Sequence, residues 1–151
     1  MIMTRVRWGV GMVRQIYESE QDRINEQRLA DVIRGSYNCE LHKMPMKLSL
    51  DFMATRGGEA VAFFEMRQRG NLMAAYPTYM ISMYKVMMAD ALAKSTGLPS
   101  FLAVQWKDRA GMCKLPSKGS SYGMGGSVRR GDPQDIEPVA YIPMKKFKVI
   151  A

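Results

Sequence analysis

Residues Leu48 to Asn71 read LSLDFMATRGGEAVAFFEMRQRGN. Two short apolar runs are joined by TRGGE, and Arg56-Gly57-Gly58 is a hairpin turn signal. The spacing predicts one strand over Lys47 to Met53 and a second over Ala60 to Met66. The continuous VAFF in the second run fits a central strand covered on both faces. One acid, Asp51, stands inside the first run, and another, Glu65, closes the second. An unpaired carboxylate buried among apolar groups costs several kcal/mol or is forced to take up a proton. Two of them in one hairpin therefore ask for a compensating charge.

Working outward, a helix is predicted over Glu18 to Arg34. Ser19-Glu20-Gln21-Asp22 resembles a capping box with Asp in place of Glu. Ile24, Leu29, Val32 and Ile33 share one face, and Gly35 is the expected stop. A short strand follows at Cys39 to Lys43. Beyond the hairpin comes the polar loop RQRGNLMAA, then a helix that Pro77 would open and that runs to about Thr96. FLAVQW, Phe101 to Trp106, reads as another buried strand. DRAG turns the chain into a short strand at Met112 to Leu115. Residues 116–137 are rich in Gly and Ser and read as a loop. A last strand over Val139 to Ile142 and the basic tail KKFK follow. The order is α-β-β-β-α-β-β, an α/β class with a mixed sheet covered by helices.

The bulk numbers narrow the partners. A length of 151 residues suits one domain, 1–151, and 47% apolar residues suffice for a core. The net charge of +8 speaks for nucleic acid first and a membrane surface second. Cys39 and Cys113 are far apart, which suggests a reducing compartment such as the cytoplasm of a bacterial or phage-infected cell. With His42 as the single histidine, neither a structural zinc site nor a Ser-His triad is available. GSSYGMGG lacks the Lys-Ser/Thr that follows a phosphate-cradling loop, which excludes nucleotide hydrolysis. The N-terminal MIMTRVRWGVGMVRQ is broken by Arg5, Arg7 and Arg14, unlike a signal peptide, and no apolar run of about 18 residues exists to span a membrane.

Alternation along the second hairpin strand puts Glu65 and Arg67 on one face. Asp51 and Glu65 become neighbours only if the first strand bends or splits near the acid, which spacing does not decide. Arg67, Gln68 and Arg69 form a polar and basic cluster beside Glu65, suited to phosphate contact, with a solvated loop as the plainer reading. Tyr76, Tyr79 and Tyr84 do not share one stripe. Tyr79, near the expected helix start, is the candidate for a backbone contact.

Asp, then a hairpin, then Glu-x-Lys is the motif of the PD-(D/E)xK nuclease superfamily. LDFMATRGGEAVAFFEMRQRGN resembles that motif as it occurs in archaeal-type Holliday junction resolvases and phage recombination nucleases. NEQRLADVIRGSYNCEL resembles their first helix, and YMISMYKVMMADALAKSTGLPSFLAVQWKDRAGMCKL their second helix with the strands that follow. The similarity covers about Asn25 to Leu115. It implies a restriction-endonuclease-like mixed sheet with an αβββαβ core. It also implies a phosphodiester-cleaving DNA endonuclease acting on DNA, branched DNA included, as a homodimer. By the same resemblance Asp51, Glu65 and the Met66 carbonyl would hold Mg²⁺, with Mn²⁺ the alternative, and Glu26 would reach it from the first helix. Asp22 and Glu18 compete for that last role.

One position departs from the motif. Arg67 stands where the family has lysine, and an arginine effectively cannot give up its proton. Its fork of donors can still orient a phosphate. A relocated lysine is the second possibility: Lys85, on the following helix, or less favourably Lys47. This leaves a catalytic set of Glu26, Asp51, Glu65, Arg67 and Lys85, and a nucleic-acid set of Arg67, Gln68, Arg69, Tyr79 and Lys85. The rivals are a nuclease-like module that binds DNA without cutting, and a phage structural or assembly protein.

Overall fold

The computed structural model of the chain describes residues 19–44, 50–129, 131–133 and 136–151. In chain order the elements are α1 (Glu20–Tyr37), β1 (Glu40–Lys43), β2 (Phe52–Arg56), β3 (Glu59–Gln68), β4 (Thr78–Ser82), α2 (Met83–Thr96), β5 (Ser100–Gln105), β6 (Ala110–Leu115), β7 (Ser121–Gly126), β8 (Ile136–Pro143) and β9 (Lys148–Val149). A mixed sheet of six strands runs β1-β2-β3-β5-β6-β9, and a smaller sheet runs β4-β8-β7. β3 and β5 pair in parallel, which requires the crossover through β4 and α2.

The capping box at the start of α1 is present in both directions. Ser19 Oγ accepts from the Asp22 N–H at 3.1 Å, and the Asp22 carboxylate accepts from the Ser19 N–H at 2.9 Å. Gly35 does not stop the helix, which runs on to Tyr37 and ends where Asn38 turns left-handed at φ 49. Asn tolerates that conformation, so the last turn extends past the glycine. The predicted strand at Lys47 to Met53 begins later, at Phe52, and 45–49 lie outside the described residues.

Three further expectations are corrected. Pro77 does not open a helix: Thr78–Ser82 is strand β4, paired with β8 over Val139–Pro143. Thr, Tyr and Ile suit a pleated surface, and the helix starts later, with Ser82 Oγ accepting from the Tyr84 N–H at 3.2 Å. Residues 116–137 are not loop throughout, since Ser121–Gly126 forms β7. At Gly125 the glycine serves close contact. A Cβ on Gly125 would lie 2.8 Å from Met80 Sδ and 2.9 Å from Val139 Cγ2. The basic tail also contributes a strand, β9, which pairs with β6.

Each face of the large sheet has its own core. Leu29, Ala30 and Ile33 of α1 cover Phe52, Ala54, Phe64, Met66 and Ala103 on one side. On the other, Val86 and Ala89 of α2 and Tyr79, Ile81, Ala140 and Ile142 of the small sheet pack on Leu102, Val104 and Trp106. β3 is buried between these layers, as its apolar run foretold, so alternate side chains enter opposite cores. Phe64 and Met66 face α1, and Glu65 and Arg67 face the side of α2.

The hairpin turn is the two-residue Gly57-Gly58, with φ 59 and 79, the primed geometry that follows strand twist. A regular ladder from that turn would set Asp51 opposite Phe64. A bulge between Ala54 and Thr55 shifts the register, so that Phe52 takes that place, and Asp51 lies at a bend just before β2. Gly58→Ala introduces no clash, since its Cβ meets nothing within 4 Å. The left-handed backbone alone should lower the unfolding free energy by roughly 1–2 kcal/mol, read from a shifted urea midpoint at unchanged slope.

Candidate active site

Glu65 is the deepest charged side chain described, 1% exposed, in register with Leu102 on β5. Asp51 sits just before β2 and is partly buried. Its N–H donates to the Phe64 carbonyl at 2.9 Å, and its Oδ2 accepts from the Met66 N–H at 2.8 Å. These two bonds clamp Asp51 across the end of β3, astride Glu65. The chain bends at Leu50 and Asp51, just before β2, as the adjacency of the two acids requires.

Two cations answer the buried charge. Arg67 Nη2 lies 2.8 Å from Glu65 Oε1, and Lys85 Nζ, from the first turns of α2, lies 3.0 Å from Oε2. The lysine approach is close enough for charge pairing but off hydrogen-bond alignment, so Oε2 has no directed donor. Burial pushes the Glu65 carboxyl from 4.5 up to about 7. Arg67 pulls it back, Asp51 adds to the rise, and Lys85 opposes it. Desolvation therefore outweighs the pull of the two cations.

The other expected residues divide. Glu26 does not join the pair of acids: it forms an ion pair with Lys43 of β1. Among the described residues, no three Asp, Glu, His or Cys side chains group closely enough to hold a metal ion. The reason is geometric, since α1 covers the Phe64 and Met66 face while Glu65 enters the opposite one. Tyr79 is corrected more fully. It is 4% exposed on β4, its ring packs on Trp106 and Phe147, and its buried hydroxyl has no hydrogen-bond partner. Burial pushes that phenol up to about 12, so it stays neutral. It is a core residue that supports Arg69, whose guanidinium lies 4.6 Å from the ring centre. Gln68 is exposed at the end of β3, and Lys47 lies outside the described residues.

Cations absent from the sequence reading stand at the same end of the sheet. The β5–β6 turn carries exposed Lys107 and Arg109. It is tied to the segment after β3, where the Arg69 N–H donates to the Gln105 carbonyl at 2.9 Å and the Lys107 N–H to Asn71 O at 3.1 Å. No sequence spacing signals this proximity, because it follows from the parallel register of β3 and β5.

This geometry accords with the comparisons. Residues 12–150 match the family described as "Phage putative PDDEXK endonuclease". The chain belongs to that family. Its mixed sheet flanked by helices, with Asp51 and Glu65 on the hairpin, is the restriction-endonuclease-like arrangement the motif implies. A solved structure, Hjc from Archaeoglobus fulgidus, a Holliday junction resolvase from an archaeal hyperthermophile, superposes with a TM-score of 0.48 at 13% identity. That match covers 61% of this chain and 75% of Hjc. No curated protein matches the sequence. Among the described residues, no helix is long and apolar enough to cross a membrane.

The raised Glu65 value has a signed consequence. Between 4.5 and about 7 the folded chain holds this proton more tightly than the unfolded one. The stability it contributes is complete below 4.5 and is lost as pH rises through 7. Melting temperatures of the wild type minus those of Glu65→Gln should therefore fall steadily from pH about 5 to about 8. A difference that is flat with pH would show that Glu65 is already ionised at low pH.

Proposed function

We propose that this endonuclease is metal-dependent and structure-selective, cutting branched DNA as a homodimer with one such site in each copy. The observation that supports the reading is the buried Glu65 carboxylate, faced by Asp51 and flanked by Arg67 and Lys85. Two opposed cuts at a junction need two sites, which a twofold pair supplies.

The residues present suit a divalent cation. Asp51 commits one oxygen to the Met66 N–H, Glu65 Oε2 lacks a directed donor, and the Met66 carbonyl is adjacent in the chain. Hard oxygens from one or two carboxylates, completed by water, are the usual surroundings of Mg²⁺, and Mn²⁺ accepts the same set. Glu26 would contribute through water at most, as its carboxylate is engaged by Lys43. When bound, the cation supplies an activated water and offsets charge on the attacked phosphate.

The chain's own groups do the rest. Arg67 cannot serve as a base, but its guanidinium, half exposed beside Glu65, is placed to hold the scissile phosphate through two donors. Lys85 takes the role the motif lysine has elsewhere. It approaches Glu65 from α2 instead of β3 and presents an ammonium to the attacking water and the phosphate. Arg69, braced on Tyr79, extends the phosphate contact along the strand end. Residues 1–151 would act as one nuclease domain. A module that binds without cutting is the second reading, and Arg67 in place of lysine favours it.

A labelled four-way junction and a linear duplex, titrated with Mg²⁺ and Mn²⁺, separate the readings. Cleavage should require the cation, favour the junction, vanish in Asp51→Ala with DNA affinity kept, and drop roughly 10²–10⁴-fold in Lys85→Met. Affinity should fall steeply with salt, as phosphate contacts require. No cleavage under any metal, with binding intact, would establish the binding module. Unchanged cleavage in Lys85→Met would remove Lys85 from the mechanism.

A further inference from the structure

The face of β3 opposite Glu65 ends in a cleft of about 200 Å³, between α1 and the paired ends of β3 and β5. Asn25, Arg28, Leu29, Val32, Gln68 and Gln105 line it. We propose that this cleft receives one unpaired nucleobase of the DNA. The proposal rests on the nuclease reading above and adds to it where a base, as distinct from a phosphate, is held.

The chemistry of the lining selects a base. Leu29 and Val32 offer an apolar wall, suited to the faces of a planar ring. Around them stand three carboxamides and one guanidinium, the groups that read base edges: Gln or Asn across the adenine edge, Arg across the guanine edge. Several of these groups are uncommitted. Among the described residues, the side chains of Gln68 and Arg28 make no hydrogen bond or ion pair, and both are exposed. Asn25 Oδ1 accepts from Gln21 Nε2 at 3.0 Å, which leaves its own amide hydrogens for a ligand. Gln105 Nε2 donates to the Trp106 carbonyl at 2.7 Å, which fixes the amide plane and leaves Oε1 as an acceptor. A phosphate site would be built differently, with converging cations, and those stand on the other face at Arg67 and Arg69.

Position completes the case. Arg67 and Gln68 are consecutive, and alternation along β3 sends them to opposite faces of the sheet. A DNA strand whose phosphate rests at Arg67 crosses the end of β3 before its base can reach Gln68. A base still paired in a duplex cannot make that crossing, so the cleft fits one already released at a branch point or swung out of the stack. One ring system fits the volume, and a stacked base pair does not.

The test is an abasic scan on the full chain. In a four-way junction and a forked duplex, each nucleotide around the branch is replaced singly by an abasic residue. Equilibrium binding is then measured without divalent metal. One position should weaken wild-type binding about 5- to 100-fold, the discrimination a well-read base carries. 2-Aminopurine at that position should brighten on binding as it leaves the stack. Gln68→Ala and Arg28→Ala should each bind intact DNA more weakly and lose much of their sensitivity to the abasic site. Both residues are exposed, and the wild-type scan needs neither variant. A flat scan overturns the proposal. So do variants that weaken intact and abasic DNA equally, since that marks Arg28 as a plain phosphate contact. Cleavage with a flat scan removes the base pocket and leaves the nuclease. Base sensitivity without cleavage in any metal removes the nuclease and leaves the pocket.

Discussion

The buried carboxylate of Glu65 is the constraint around which the site is assembled. A charge nearly sealed from water, in register with Leu102, is tolerated only where compensation arrives from its own surroundings. Arg67 supplies part of it from two residues along the same strand, and Lys85 supplies part from a different element. Even so, burial dominates and the carboxyl titrates near neutrality.

Bringing the second acid there depends on a detail of the hairpin. From Gly57-Gly58, an uninterrupted ladder would aim Asp51 at the face that α1 covers. One extra residue in β3 shifts the pairing so that Phe52 stands opposite Phe64, and the chain bends at Asp51 beside the strand. The clamp from the Met66 N–H to Asp51 then fixes the carboxylate without any ion. β3 divides labour between its faces. Glu65 and Arg67 face the side of α2, while Phe64 and Met66 anchor the strand to α1 and Gln68 opens onto a cleft.

Part of this was legible in the sequence, for physical reasons. The capping box, the glycine turn and the uninterrupted VAFF run are local signals, so α1, the hairpin and the central position of β3 could be read from them. The Asp and Glu-x-Arg spacing singled out the two acids. The segment after Pro77 was misread because proline at a helix start and proline before an edge strand look alike locally, and only pairing with β8 separates them. Tyr79 was misplaced with it. The Gly-rich stretch conceals β7, where Met80 and Val139 leave no room for a Cβ at Gly125.

By itself, then, the sequence determined that two acids sit in an apolar hairpin, that an arginine follows where the motif has lysine, and that the chain is strongly basic. Only the tertiary structure decided which charges meet. Glu26 is turned to Lys43, and Lys85 is brought to Glu65 across a parallel crossover. Lys107 and Arg109 are tied to the same strand end. The physical reason is that alternation and capping act within one element. Register shifts and crossovers join elements distant along the chain, and their energy is settled in packing that no local spacing encodes.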